Sequence, residues 1–415
     1  MTGTLGPGLG YGRAARFMYI ATASQTTFSG PDSSTEALTL SYTPNFVEVA
    51  VNGLWLPPTD YTASNGSSVV FASGLTAGDI VYVYVLSVLA IADAISFAGV
   101  QSLTATQKAQ ARANTGVLCT PQGRLTLQTA VPVMVATQSA KTTIYYTPYV
   151  GNHIPIYDGA NTTPKVFSEL SIATTDTAKS PAAIGASKVN DWFVWEDAGV
   201  MRLIHGPDWT SDTARSAGTA LVMVNGILLN SVAITNGPAA SRGTYVGTTR
   251  SNASSQLDWI IGTAAVGGGA AFFYVWNTYN RVSVTASVTD NTGSWTYGTN
   301  AWRATNASAS NRVSFVSGLP EEGSIAFNFA NGRPAASVIS WGEAGVVLDS
   351  TTGASVTGRV LNPTAGTYDS GTTATLAVAP QTGAHYVQAV ELGDGATNVT
   401  WFGSTKQVFT FSSRM

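Results

Sequence analysis

Charge is scarce in this chain: Asp, Glu, Lys and Arg together make up 10% of its 415 residues, against roughly 25% in an average soluble domain. Exposed helix faces are normally clothed in Glu, Lys and Arg, so a helix-rich fold is disfavoured. The charges that are present nearly cancel, with 20 Lys plus Arg against 23 Asp plus Glu. No stretch concentrates cations as a phosphate-reading surface requires, which argues against a nucleic-acid partner. A single cysteine, Cys119, excludes an intramolecular disulfide framework and any paired-thiol zinc site, and is expected to serve as a small buried or half-buried hydrophobe. Three histidines, His153, His205 and His385, lie far apart with no spacing that gathers a metal, and are expected at ordinary surface or turn positions.

What replaces charge is neutral and β-forming. Hydrophobic residues reach 44% and glycines number 42, and the remaining surface is largely Ser, Thr and Asn. That composition suits twisted strands and tight turns, so the expected class is all-β. At this length two to four domains are expected.

The first long apolar run, IVYVYVLSVLAIADAISFAGV at 80–100, is long enough to cross a bilayer. Its first part alternates Val and Tyr in strand fashion and its second is Ala-rich, so it reads as a buried strand followed by a short helix, without membrane insertion. The opening MTGTLGPGLGYGRAARFMYIATAS has an apolar run too short for a secretory signal and reads as a flexible arm. Its glycines lack the preceding strand that a dinucleotide fingerprint needs.

Between residues 19 and 88 strand-like runs alternate with turn signals, as in a small β-sandwich. In FVEVAVNGLWL, residues 46–56, Asn52-Gly53 is the dipeptide of a two-residue type I′ hairpin. LVMVNGILLN at 221–230 repeats the pattern, and DWFVWEDAGVMRLIHG at 191–206 turns at Asp197-Ala198-Gly199. AFFYVWNTYNRVSVTASV at 271–288 reads as two strands around Asn277 to Asn280. QSLTATQKAQARANTGV at 101–117 is the one convincingly helical stretch, bounded by Thr104 and Gly116. The divisions expected are an arm at 1–20, a β-sandwich module at 21–88, a helical linker at 89–118, a central sandwich or jelly-roll body at 119–349 and a smaller β element at 350–415.

No nucleophile elbow or phosphate loop occurs. Glu196-Asp197 and Glu321-Glu322 are adjacent carboxylates, but neighbours in a strand point to opposite faces and those in a turn point to water, so neither argues for catalysis. No catalytic residue, cofactor or metal ligand is assigned. Ten tryptophans and sixteen tyrosines suit binding better, since flat rings with polar edges stack on sugars or anchor protein contacts. Trp295, Tyr297 and Trp302, in the Gly/Asn/Thr-rich SWTYGTNAWR, are the candidate exposed aromatic set. Trp192, Trp195 and Trp276 lie within strand patterns and are assigned to the core.

Four short motifs occur in order: Tyr42-Thr43-Pro44, Val51-Asn52-Gly53, Asp60-Tyr61-Thr62-Ala63 and Gly78-Asp79-Ile80-Val81. In that order they resemble a small β module of bacteriophage tail fibres, and LTATQKAQARANTGV at 103–117 is similar to the Ala-Gln-rich linker such fibres place between modules. The two resemblances cover roughly the first 30% of the chain. They imply an elongated, homotrimeric virion appendage, attached to other virion structural proteins by its N-terminal arm and meeting a host surface glycan or protein receptor with its C-terminal β domains. The short stretch before the first module departs from long tail fibres and leaves a purely structural head or neck fibre or decoration protein as the alternative. A glycan-depolymerising spike is a lesser one, because no coil-length period is present. A secreted adhesin is disfavoured by the missing signal sequence.

Overall fold

The computed structural model describes residues 15–85, 102–104, 107–108, 110–111, 119–320, 322–334, 340–362 and 368–415. The architecture is all-β, and the chain divides into a first unit, residues 1–107, and a second, residues 108–415.

The first unit is a two-sheet sandwich. Its strands are β1 (Ala15–Ile20), β2 (Gln25–Ser29), β3 (Val47–Val51), β4 (Leu54–Trp55), β5 (Tyr61–Thr62), β6 (Ser68–Leu75) and β7 (Ile80–Val85). One sheet runs in the order β1-β7-β3-β4 and the other β2-β6-β5. The period-2 pattern determines which side chains go inside: Val81, Val83 and Val85 of β7 are buried while Ile80, Tyr82 and Tyr84 are not. Phe17, Tyr19, Phe28, Val49, Val69 and Phe71 complete that core. β1 extends the sandwich back into the stretch expected to be an arm, because Phe17 and Tyr19 alternate with Arg16 and Met18 and their apolar faces need covering.

The motif residues turn out to be fasteners. Asn52 (φ 51°) and Gly53 (φ 85°) form the type I′ turn between β3 and β4. The Asn52 side chain then ties that turn to the entry of β7, accepting from the Ile80 amide (2.9 Å) and donating to Asp79 Oδ1 (2.8 Å). The Tyr61 hydroxyl donates to the Val47 carbonyl at 3.1 Å, and the Tyr42 hydroxyl donates to the Ser68 carbonyl.

Of the expected linker, Thr104 and Gln107 form a reciprocal capping box: the Gln107 amide donates to Thr104 Oγ1 (3.2 Å) and the Thr104 amide to Gln107 Oε1 (3.0 Å). Gln107, Lys108, Gln110 and Ala111 are helical. The remainder of 89–118, and the expected short helix after β7, lie outside the described residues.

In the second unit an eight-stranded sheet includes, in order, Val356–Asn362, Ser340–Leu348, Gly383–Gly393, Arg312–Ser317, Ala271–Phe273, Leu257–Ile260 and Gln138–Lys141, with Arg303–Ala304 pairing onto Gly383–Gly393. A six-stranded sheet built on Val399–Arg414 packs against it, and Phe315 of the first stacks on Phe411 of the second at 4.7 Å. A further six-stranded sheet centres on Val189–Asp197 and Thr244–Arg250. The same apolar cluster runs through all three, from Trp192 and Tyr245 to Phe273 and Phe409.

Two expectations are overturned by this architecture. Residues 350–415 are not a separate element, since Gly383–Gly393 lies between Ser340–Leu348 and Arg312–Ser317. Turn residues mark where strands stop, whereas pairing between distant strands leaves no local trace. Second, His205 is a core residue, 1% exposed, edge-on to Trp192 at 5.3 Å. Strands do flank Asn277–Asn280 as expected, Val275–Asn277 pairing with Thr244–Arg250 and Ser283–Asp290 with Val399–Arg414. The hairpins at 197–200 and 224–227 occur as expected, with Ala198-Gly199 and Asn225-Gly226 at positive φ. Trp192 and Trp276 are buried, and Trp195 packs partly buried on the same core. Cys119 is half-buried.

Candidate functional site

Trp295 and Tyr297 sit on Ser294–Tyr297, a short strand paired with Val399–Arg414 in the register Trp295↔Trp401 and Tyr297↔Val399. Both rings lean on a small core formed by Ala330, Ala344, Val360, Val399 and Trp401. The loop that follows is drawn tight: the Tyr297 hydroxyl donates to the Ala301 carbonyl (2.6 Å), and the Arg303 guanidinium lies 3.7 Å from the Tyr297 ring centroid. Gly298 and Gly393 have their backbones in such close approach that a Cβ on either would collide with neighbouring backbone atoms. The Gly393 amide donates to the Thr299 carbonyl there (3.0 Å).

Beneath this loop lies Glu391, a carboxylate the sequence reading did not single out. It sits in Gly383–Gly393 and is 1% exposed. Its Oε2 accepts from the Trp295 indole N–H at 2.7 Å; its Oε1 accepts from Arg303 Nε (2.8 Å) and from the Asn306 amide (3.1 Å). Burial pushes the carboxyl up to about 7, against the pull of the Trp295 hydrogen bond and the Arg303 charge. Its signal in the sequence was one acid inside the apolar run VQAVELG, which requires a buried partner. Asn306 continues the network, its side-chain amide donating to Asp290 Oδ2 at 2.9 Å.

The expected aromatic set is therefore gathered in one loop region but is not freely exposed. Trp295, Tyr297 and Trp302 are all half-buried. Trp295 and Tyr297 are engaged in the internal bonds just described. Trp302 shows no hydrogen bond among the described residues and is the least constrained of the three.

The carboxylate pairs are accounted for separately. Glu196 pairs with Lys165 (3.0 Å), while Asp197 accepts from both Lys179 and Arg202 at 2.7 Å, which hold its carboxyl below the usual range. Glu322 pairs with Arg414 at 2.9 Å, and Glu321 lies outside the described residues. Among the described residues no group of three or more His, Cys, Asp or Glu could hold a metal ion, and no helix is long and apolar enough to cross a membrane.

No family model matches this sequence, and no curated protein matches it. Among solved structures, a glycoside hydrolase family 43 arabinoxylan arabinofuranohydrolase from Bacillus subtilis, in complex with cellotetraose, aligns at 15% identity over 68% of this chain and 53% of its own, with a TM-score of 0.16. A Bacillus thuringiensis Cry1Da tryptic core variant aligns at 9% identity over 72% of this chain and 53% of its own, also with a TM-score of 0.16. The chain spans about half the length of each. Similarity at this level carries no argument about fold or function.

Proposed function

We propose that the chain is a bacteriophage virion fibre protein, a non-enzymatic homotrimer that attaches to the particle by its N-terminal region and contacts the host surface with its C-terminal β structure. The observation that carries this reading is the set of motif residues in the first unit, in the order seen in tail-fibre modules. Asn52, Tyr42 and Tyr61 each have a defined fastening role in the sandwich, so the resemblance extends to residues with a physical reason to recur together. Weak contacts repeated on several copies of a rigid appendage hold a cell by avidity.

A second reading, a purely structural head or neck fibre, is favoured by one observation: Trp295 and Tyr297 are spent on internal contacts with Glu391, Ala301 and Arg303. Adsorption of the purified chain to host cells separates the two. Saturable binding that blocks infection supports the receptor role, and complete absence of binding contradicts it. Within the receptor reading, Trp302→Ala is expected to weaken adsorption while leaving unfolding unchanged, whereas Trp295→Ala is expected to lower stability.

A further inference from the structure

The four-stranded sheet of the first unit has one face on the sandwich core and another turned outward. Register fixes what the outward face carries. Arg16 of β1 and Glu48 of β3 both stand opposite Tyr84 of β7, so the three form one row across the sheet. Met18, Tyr82, Ala50 and Trp55 form the next row, and Ile20 and Ile80 the third. Trp55 is 54% and Ile20 53% exposed, in a sandwich whose other sheet face is already covered. Exposed aromatic and aliphatic rows of this extent on one face mark an interaction surface.

The nature of the occupant follows from ring geometry and charge. Trp55 lies 4.9 Å from Tyr84 and Tyr82 lies 6.2 Å from Tyr84, tilted by 44° and 42°, and Ile20 and Ile80 adjoin them. This is an uneven apolar surface, suited to interdigitating side chains and not to a flat sugar ring. Among the described residues the charges on it are Arg16 and Glu48, of opposite sign, in one row, each one strand from β7 and so about 10 Å apart. Neither makes an ion pair with another described residue of its own chain. A threefold axis parallel to β7 in front of this face brings Arg16 of each copy beside Glu48 of the next, with Tyr82, Tyr84 and Trp55 lining the contact. A face with its positive flank on one side and its negative flank on the other is complementary to itself.

We propose that this outward face of the first unit is where a second copy of the chain packs, with Arg16 of each copy paired to Glu48 of its neighbour. The inference rests on the fibre reading only in its premise that copies associate. Sedimentation equilibrium of the full chain tests it. The native protein is expected at a multiple of 43.0 kDa. Arg16→Glu and Glu48→Arg are each expected to raise the dissociation constant about tenfold or more, the equivalent of one lost charged contact. The double variant R16E/E48R is expected to recover most of that loss. Circular dichroism of each variant checks that the β-structure persists.

Native association untouched by either reversal, or a double variant no better than the singles, overturns the inference and leaves the fibre reading standing. A native chain that sediments as a single copy at every concentration overturns both. An oligosaccharide that shifts the tryptophan fluorescence of the native chain, but not that of Trp55→Phe, without changing the sedimenting mass assigns the face to a glycan and also overturns the inference.

Discussion

Replacing Asn52 by alanine removes three contributions at once. Asn52 accepts from the Ile80 amide and donates to Asp79, and it occupies the left-handed region at φ 51°. Each hydrogen bond contributes about 1 kcal/mol net, and an alanine in the left-handed region costs about 1 kcal/mol more. The expected loss is about 3 kcal/mol, on the order of a hundredfold in the opening equilibrium of the first unit. Hydrogen exchange read by mass spectrometry on peptides from β3 and β7 reports it, because those amides exchange through opening of this sandwich. Asn52→Gly retains the turn and loses only the side-chain bonds, so its loss is expected to be about 2 kcal/mol. Peptides from the second unit should exchange as in the native chain. Unchanged protection in β3 and β7, or equal deprotection of both units, refutes the fastening role.

Glu391 gives a pH dependence. Its folded pKa, about 7, lies above the unfolded one, so its contribution is fully present below the ordinary carboxylate range and is lost as pH rises through about 7. That amounts to about 3 kcal/mol between the two limits, and urea unfolding of Glu391→Gln beside the native chain from pH 5 to 8 should show a flatter profile in the variant. Arg215 makes a bidentate pair with Asp191, which is fully buried and whose carboxyl burial pushes up; Arg215→Ala leaves that acid with Thr248 and is expected to cost about 3–5 kcal/mol by the same assay.

Local chemistry was the legible part of the fold. Asn52-Gly53, Ala198-Gly199 and Asn225-Gly226 adopt positive φ because short hairpins between right-twisted strands demand it, and those dipeptides stand plainly in the sequence. The Val/Tyr alternation of β7 was legible as a strand, but as a buried one, whereas Ile80, Tyr82 and Tyr84 stand on its uncovered face. The pairing of Gly383–Gly393 with Arg312–Ser317 and Ser340–Leu348 was not legible, because nothing in any one segment names its partner. At the candidate site the rings were found and their state was not. Trp295 is bound by an acid 96 positions away, and only the folded chain brings the two together. His205 was misplaced for a different reason: the hairpin turning at Ala198-Gly199 sets it opposite Trp192, a residue assigned to the core, and that register was not counted through.

The most direct test of the assignment is where the chain resides. Gold-labelled antibody against the purified protein, imaged on intact phage particles by electron microscopy, is expected to decorate thin appendages projecting from the virion. Particles that bear no label, with the antigen recovered only from the host cell, would contradict the account.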